Sequence, residues 1–490
     1  KTHTLTERFV QFTLSEKIPK NRLRNILAVT FSNNAAKEMK ERILLWLKSV
    51  YFDNPEQADE LSQVTSLDRE KMIGKAGMLI DEILDNYSDF QVRTIDSFMA
   101  TIFKASAIDF GYNPEFEILM SNDMLMEYSF NLFLRNVREG TYEASLFEEI
   151  IAVIHEHKKR DSSYLWDPSK TILNEIKNIY RRLASTGKRP VVYDLSAEMA
   201  GVKDRIRETL DAIEDVIVGS GIERRGNSSY PDILSMVREG SFADLIGKGM
   251  KNPPVNKPKT GNAAALESYN RILDIWTEAG ALINQYISLY GRSCYMPYLK
   301  VYERFSRIIE ETKKHQGKIF IEDINRNLAD YINSDIVPDI YFRIGETIYH
   351  YLIDEFQDTS QVQWRNIFPL IENSLSQGGS SFVVGDTKQA IYGFRDADYT
   401  IMKNLEAESP FLSARHDVQE LGINYRSQQR ILEFNETVFK RIVAGSEEYR
   451  ETGEQSGLID YVQNVKEGSK GGGYAEVTLC GRNDEDPSER

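Results

Sequence analysis

The stretch that most constrains this chain is Tyr351 to Thr359, YLIDEFQDT. With Ile348 and Tyr349 just upstream, its apolar start reads as a short buried strand, because an unbroken apolar run suits a parallel sheet covered on both faces. Asp354 and Glu355 then arrive side by side where that strand should end, which is where open α/β sheets place their ligands. Adjacent acids at such a tip suit nucleotide hydrolysis. One carboxylate holds a magnesium ion through its water shell while its neighbour polarises a water for attack on a phosphate. The bland reading of the same letters is an acidic strand end at a solvated turn, and the string alone does not separate the two.

Composition sets the outer limits. With 490 residues, 41% of them hydrophobic, the chain can bury several cores, so about two to four domains are expected. No apolar run approaches the roughly eighteen residues of a membrane helix, and there is no charged-apolar-small leader; a soluble, cytoplasmic protein without membrane contact is expected. Cys294 and Cys480 stand far apart, as in a reducing compartment without a disulfide framework. The net charge of -15 argues mildly against a nucleic-acid partner, since lysine and arginine supply affinity for phosphates. Distribution matters more than the sum, and basic clusters occur at His157 to Arg160, Arg181-Arg182, Arg224-Arg225 and Lys248 to Lys259. Each reads equally well as a solvated face.

Along the chain, Ile26 to Phe31 is an apolar strand, followed by a helix with Ala36, Met39, Ile43, Leu44 and Leu47 on one face. Phe90 to Ile95 reads as another strand, then Asp96, Ser97 and a helix that Ser97 could cap. From about Gly111 to about Gly317 the pattern is helical, with Met126, Phe130, Phe133, Leu134 and Val137 at helix spacing and an exposed loop at Lys251 to Gly261. His155 and His157 invite a metal reading, but residues two apart do not share a helix face. Phe382 to Val384 is the next buried strand, with Gly385-Asp386 at its end. Ile431 to Ile442 reads as a helix, Gly468 to Gly473 as a flexible link, Tyr474 to Cys480 as one strand, and NDEDPSER as a disordered end.

Five strings recur in a recognisable order: TFSNNAAKEM (Thr30 to Met39), TIDSF (Thr94 to Phe98), DEFQDT, FVVGDTKQAIYGFRDAD (Phe382 to Asp398) and LGINYRS (Leu421 to Ser427). Together they resemble the motif set of superfamily 1 DNA helicases, within it the UvrD/Rep group and most of all its RecB/AddA-like branch. The resemblance implies a P-loop NTPase (RecA-like) α/β fold, a parallel sheet split by a large all-helical insertion, plus the start of a second RecA-like domain. It implies motor domain 1A at 1–110 and 318–414, the insertion (1B-like) at 111–317, and an incomplete motor domain 2A at 415–490.

The resemblance also implies roles. Lys1 and Thr2 would be the lysine and threonine that end a phosphate-binding loop, G-x-x-x-x-G-K-[ST], whose glycines lie outside the chain. Asp354 and Thr2 would hold Mg2+, Glu355 would activate water, and Gln389 would report on the γ-phosphate of ATP. Tyr425 would face adenine, and Arg426 would bring a cation from the second motor domain to developing charge. Single-stranded DNA would meet Phe31, Asn33, Thr94, Ser97, Tyr392, Phe394 and Arg395, whose aromatic faces, hydroxyls and guanidinium suit sequence-tolerant binding. On residue types alone Phe31 is nearly as well read as a strand-end core residue, and Arg426 as a surface arginine.

The chain departs from its relatives at Asn34, where they usually have lysine, at Asp96, often histidine, and at Asp396, often glycine. The implied protein is an ATP-dependent translocase or helicase of recombination or repair acting on single-stranded or duplex-end DNA, with an AddB/RecC-like partner subunit. The chain would be its N-terminal fragment, poorly active alone, because the later coupling and nuclease motifs are not in it. Two other readings stand beside it: a UvrD-type repair helicase without a nuclease, and a catalytically silent DNA-binding scaffold that kept the fold.

Overall fold

The computed structural model describes residues 1–65, 67–158, 167–186, 190–258, 263–333, 344, 347–466 and 471–478. The described strands are β1 (Ile26–Thr30), β2 (Val92–Thr94), β3 (Glu117–Leu119), β4 (Lys318–Phe320), β5 (His350–Ile353), β6 (Ser380–Val383), β7 (Ile423–Asn424) and β8 (Asn464–Val465). The chain divides into two compact units, one formed by residues 1–120, 184–187 and 317–490, the other by 121–183 and 188–316. No helix among the described residues is long and apolar enough to cross a membrane.

The first unit is a mixed α/β body around a parallel sheet of order β2-β1-β5-β6. Its registers pair Val29 with Ile353 and Leu352 with Phe382. Successive residues of β1 and β5 serve opposite faces. Leu27, Val29, Tyr351 and Ile353 enter one core with Phe98, Phe103 and Ile367, while Ile26, Ala28 and Leu352 enter another with Leu5, Phe9, Met39 and Leu47. Burial on both faces is why these strands carry no polar alternation, and each large apolar side chain so placed contributes about 1.5–3 kcal/mol. The chain runs from β1 outward to β2 and later returns to β1's other side as β5. The order therefore reverses beside β1, and the carboxyl ends of β1 and β5 flank a topological switch point.

Strand ends differ from the sequence reading in small, explicable ways. β2 begins at Val92 and stops at Thr94, because Thr94 caps the helix Ile95–Ala105 through a 3.2 Å bond from the Ser97 N–H to its hydroxyl. Ser97 is therefore the third residue of that helix and not its cap. Residues 111–120 stay with the first unit, where β3 runs parallel to β4. Tyr474 to Val477 forms no strand; the short pair there is β7 with β8. Residues 479–490 lie outside the described residues, as do 159–166 and the side chains of His155 and His157.

The second unit is helical. Val202, Ile206, Leu210, Ile213 and Ile217 of helix Ser196–Ser220 pack against Ile272, Trp276, Ala279, Ile283 and Tyr286 of helix Ala263–Gln316. Such spacing places one apolar stripe along each helix. The loop after Lys251 is more than an exposed link: Val255 is buried in this core and bridges to Arg224. Within the basic clusters, Arg224 pairs with Glu214 and Lys248 with Asp232 at 3.3 Å.

One buried polar residue ties the sheet to the chain's first helix, Thr2–Leu14. His350 sits 2.9 Å from the Ser380 hydroxyl through Nδ1 and 2.9 Å from the Pro19 carbonyl through Nε2, edge-on to Phe12. The carbonyl can only accept, so Nε2 carries the proton and Nδ1 accepts from Ser380. Burial pushes the imidazole below its ordinary range, against the bonds that favour charge. A histidine with a depressed folded value stabilises the fold fully above its unfolded value, about 6.5, and that stability is lost as pH falls toward the folded value. His350→Phe keeps the ring against Phe12 but strands the carbonyl and the hydroxyl. It is expected to cost about 1–3 kcal/mol at neutral pH and to flatten the stability change between about pH 5.5 and 7.5. Urea denaturation at both pH values measures this, and an unchanged pH dependence would refute the assignment.

Candidate active site

β5 delivers its two acids differently. Asp354 is 4% exposed, and its N–H bonds to the Val29 carbonyl at 2.9 Å, so it continues the sheet. Its Oδ2 accepts from the Thr2 hydroxyl at 2.9 Å and its Oδ1 from the Glu355 N–H at 3.1 Å. Burial pushes this carboxyl up, the Thr2 bond pulls it down, and the Glu355 charge pushes it up again, leaving it above the ordinary range. Glu355 then adopts φ +49°, the left-handed region that costs a non-glycine residue about 1–2 kcal/mol. Its Oε2 accepts from Lys1 Nζ at 2.5 Å and from Gln357 Nε2 at 2.8 Å.

Lys1 and Thr2 reach this tip because the helix Thr2–Leu14 buries Leu5, Phe9 and Val10 in the sheet's core. Lys1 Nζ also donates to Gln389 Oε1 at 2.9 Å, and Gln389 Nε2 donates to Asp386 at 2.9 Å. Three segments thus converge, Asp354-Glu355 and Gln389 with Lys1-Thr2, which lies more than 350 positions before them. The pair Thr2 Oγ1 and Asp354 Oδ2 tests whether magnesium suits the place. Ligands at 2.0–2.1 Å in an octahedron lie about 2.9 Å apart along an edge, and these two oxygens are separated by 2.9 Å. A hydroxyl and a carboxylate are also the hard oxygen donors that magnesium takes.

Two residues absent from the sequence-derived set belong here. Gln357 bridges the acids: its Nε2 faces Glu355 and, at 3.4 Å, Asp358 Oδ2, while its Oε1 accepts the Asp386 N–H at 2.9 Å. Asp358 is 6% exposed, and its Oδ1 has no hydrogen-bond partner. Burial, then the Glu355 charge, push its carboxyl to about 6, against the Lys1 charge. The only signal in the sequence was their place in the string DEFQDT, since neither residue type implies burial. Gly385 completes the arrangement, because a Cβ there would lie 2.8 Å from Gln357 Oε1 and 2.6 Å from the Met402 sulfur.

The aromatic residues form a second group. The Phe31 and Tyr392 rings lie 4.9 Å apart and 30° from parallel, and Tyr392 and Phe394 lie 5.9 Å apart. Phe394 is 81% exposed. Asp396, after them, adopts φ +65°, which explains physically why glycine suits that position. Asn33 and Ser97 are exposed at helix starts, whereas Thr94 is buried and engaged in its cap. The Arg395 side chain lies outside the described residues. Tyr425 and Arg426 stand apart from the hydrogen-bonded set, both exposed after β7. Lys466 Nζ sits 5.6 Å from the Tyr425 ring, and the Arg426 N–H bonds to Asn424 Oδ1 at 2.9 Å.

Residues 1–410 match the family model described as the UvrD/REP helicase N-terminal domain. The chain is similar to the A-subunit of the ATP-dependent helicase/nuclease of Exiguobacterium sibiricum, 23% identical over 481 residues, 90% of this chain and 38% of that protein. The protein of the same description from Carboxydothermus hydrogenoformans is 25% identical over 481 residues, again 90% and 38%. That of Clostridium novyi is 23% identical over 530 residues, 100% of this chain and 41% of the relative. The chain thus spans about two fifths of the length of these curated relatives.

The buried carboxyl of Asp358 yields a direct test. In protein labelled at the aspartate side-chain carbon, one resonance should titrate at about 6 and vanish in Asp358→Asn. Glu355→Gln removes a neighbouring negative charge and should shift that titration to lower pH. An Asp358 resonance titrating with the exposed aspartates in both proteins would contradict the burial and the charge coupling.

Proposed function

The chain belongs to the family of the UvrD/REP helicase N-terminal domain, and from that premise we propose that it is the nucleotide-hydrolysing portion of a single-stranded DNA translocase or helicase of recombination or repair. The observation that carries this reading is the convergence of Lys1, Thr2, Asp354, Glu355 and Gln389 through bonds of 2.5 to 2.9 Å at the tip of a buried parallel strand. In it, the first unit up to about residue 414 is a RecA-like motor domain, the helical unit its accessory insertion, and the residues of the first unit from about 415 onward the start of a second motor domain.

Lys1, at the start of a helix whose free N–H groups favour anions, would meet the β- and γ-phosphates of ATP. Thr2 and Asp354 would hold magnesium, which when bound neutralises phosphate oxygens. Glu355 would accept the proton of the attacking water as its oxygen bonds to the γ-phosphorus and the bond to ADP breaks. Gln389, bonded to Lys1, would sense the γ-phosphate, and Tyr425 and Arg426 would add an adenine face and a cation from the second motor domain. A phosphate drawn to Lys1 competes with Glu355 for the same ammonium, so its arrival would release Glu355 toward water.

Phe31, Tyr392 and Phe394 would stack single-stranded bases, with Asn33, Ser97 and Arg395 along the backbone, while Thr94, buried in its cap, would hold Ser97 in place. The chain's relatives are named as subunits of a helicase/nuclease, and in the proposed protein an AddB/RecC-like partner would join this chain on duplex ends in the cytoplasm.

In the protein that carries this chain, Glu355→Gln should lower ATP turnover roughly 100-fold or more while a fluorescent nucleotide binds as before. Retained phosphate release would remove Glu355 from the chemistry. Phe394→Ala should weaken oligo-dT binding by about 1–3 kcal/mol in fluorescence anisotropy without affecting nucleotide binding; unchanged DNA affinity would remove the aromatic group from the DNA path.

A further inference from the structure

The residues immediately after the acidic string are bonded to both stretches that face DNA in the reading above. The Thr359 carbonyl accepts from the Asp398 N–H at 3.0 Å, and Ser360 forms an antiparallel bridge with Ala397. Gln361 Nε2 donates to Asp398 Oδ2 at 2.6 Å. These bonds hold the end of the loop that carries Tyr392 and Phe394. On the other side, Gln363 Nε2 donates to Asp96 Oδ1 at 2.8 Å, next to Ser97 and two residues from Thr94. Between Glu355 and this strap lies only the turn Phe356–Asp358, whose three residues are buried, as is Thr359. A buried turn of this kind transmits a displacement because it has no room to absorb one.

We propose that Gln361 and Gln363 are positioning residues that tie both DNA-facing segments to the acidic tip of β5, so that nucleotide and single-stranded DNA bind in a coupled way through the strap Thr359–Gln363. The proposal rests on the nucleotide and DNA reading above. Neither glutamine touches a phosphate or a base in that reading. Each acts through a neighbour, Gln361 through Asp398 and Gln363 through Asp96. The strap joins two discrete sites by named bonds, which gives the coupling a physical carrier.

Gln363 allows a selective test. Its Oε1 accepts the Ser360 N–H at 3.0 Å as half of a capping box, while its Nε2 makes the bond to Asp96. Glutamate serves the capping box equally well, so Gln363→Glu keeps the helix start and replaces only the donor facing Asp96 with a repelling oxygen. Asp96→Asn added to it restores a donor-acceptor pair, since the new amide can donate to the carboxylate introduced at position 363. Asn325 Nδ2 donates to the same Asp96 oxygen, at 2.9 Å, so the NH2 that takes its place is met by Asn325 Oδ1 once the Asn325 amide flips, an oxygen that has no hydrogen-bond partner among the described residues of the wild-type chain.

The experiment measures the affinity of the full chain for fluorescein-labelled oligo-dT with and without a non-hydrolysable ATP analogue and magnesium. In the wild-type chain the nucleotide should change DNA affinity about fivefold or more. In Gln363→Glu that ratio should approach one, with nucleotide affinity in the absence of DNA at its wild-type value, and the double variant with Asp96→Asn should recover most of the ratio. Gln361→Ala, which leaves the capping box untouched, should lower the ratio in the same direction and serves if Gln363→Glu does not fold. A wild-type ratio in both single variants overturns the proposal, as does a double variant no better coupled than Gln363→Glu. A wild-type chain that binds both ligands with a ratio of one overturns the coupling alone, whereas one that binds neither ligand overturns the functional reading with it.

Discussion

The structure depends on a carboxylate that cannot leave. Asp354 is fixed by its own N–H in the ladder with β1 and buried to 4% exposure, in a place where an unpaired charge would cost several kcal/mol. The Thr2 hydroxyl and the Glu355 N–H meet it, and each imposes a condition on the rest of the fold. For Thr2 to arrive, the helix Thr2–Leu14 has to dock its apolar face on the sheet. For the Glu355 N–H to turn back onto the preceding carboxylate, the backbone has to pass through a left-handed residue. Lys1 is then drawn in as the partner of Glu355, and Gln389 as a partner of Lys1. The order is thermodynamic as well as geometric: the apolar contacts of Leu5, Phe9 and Val10 supply the stability that holds a group of charges at close quarters.

Backbone strain is present at two of these places. Among the few non-glycine residues with positive φ are Glu355, in the acidic group, and Asp396, at the end of the aromatic loop. Acidic and amide side chains tolerate this region better than branched or bulky ones, yet each position carries a cost that surrounding contacts have to offset. At Glu355 these are the bonds to Lys1 and Gln357. At Asp396 the flanking backbone bonds, from its own N–H to Gly393 and from Ala397 to Tyr392, close the turn. The same loop is then strapped to Thr359 and Gln361. Strain and tethering thus occur together, as expected where a chain is held in a conformation it would not choose.

Much of the sheet was legible in the sequence because burial on both faces leaves an unbroken apolar run, and β1 and β5 fall where such runs occur; β6, expected buried over Phe382 to Val384, is instead a half-buried edge strand that begins at Ser380. The acidic pair was legible for a related reason: two charges directly after an apolar strand are conspicuous. What was not legible are partners set by tertiary approach. Gln363 and Asp96 are 267 positions apart, and no local pattern marks a glutamine in a helix's first turn as a link to a distant turn. Gln357 and Asp358 were overlooked because polar residues are read as exposed until a structure shows otherwise. The misplaced end of β2 has the same root, since Phe90 and Ile95 are apolar and buried but flank the strand without extending it. Tyr474 to Val477 alternates as a strand should, but alternation needs a neighbour to pair with.

The net charge of -15 fits this architecture without contradicting a phosphate or DNA partner. Several basic side chains of the helical unit are paired with intramolecular acids, Arg224 with Glu214, Arg238 with Asp211, Lys248 with Asp232 and Lys177 with Asp123. Recognition in the proposed reading is local. For the nucleotide it comes from one lysine placed beside a helix start, where a cation and the free N–H groups act on the same phosphate. For a single strand it comes from the graded series Phe31, Tyr392 and Phe394, running from half-buried to 81% exposed, on which stacking supplies affinity that depends less on counterion release than lysine contacts do. A surface of this kind binds bases by their faces and lets the backbone slide, which suits a strand that has to be held and released in turn.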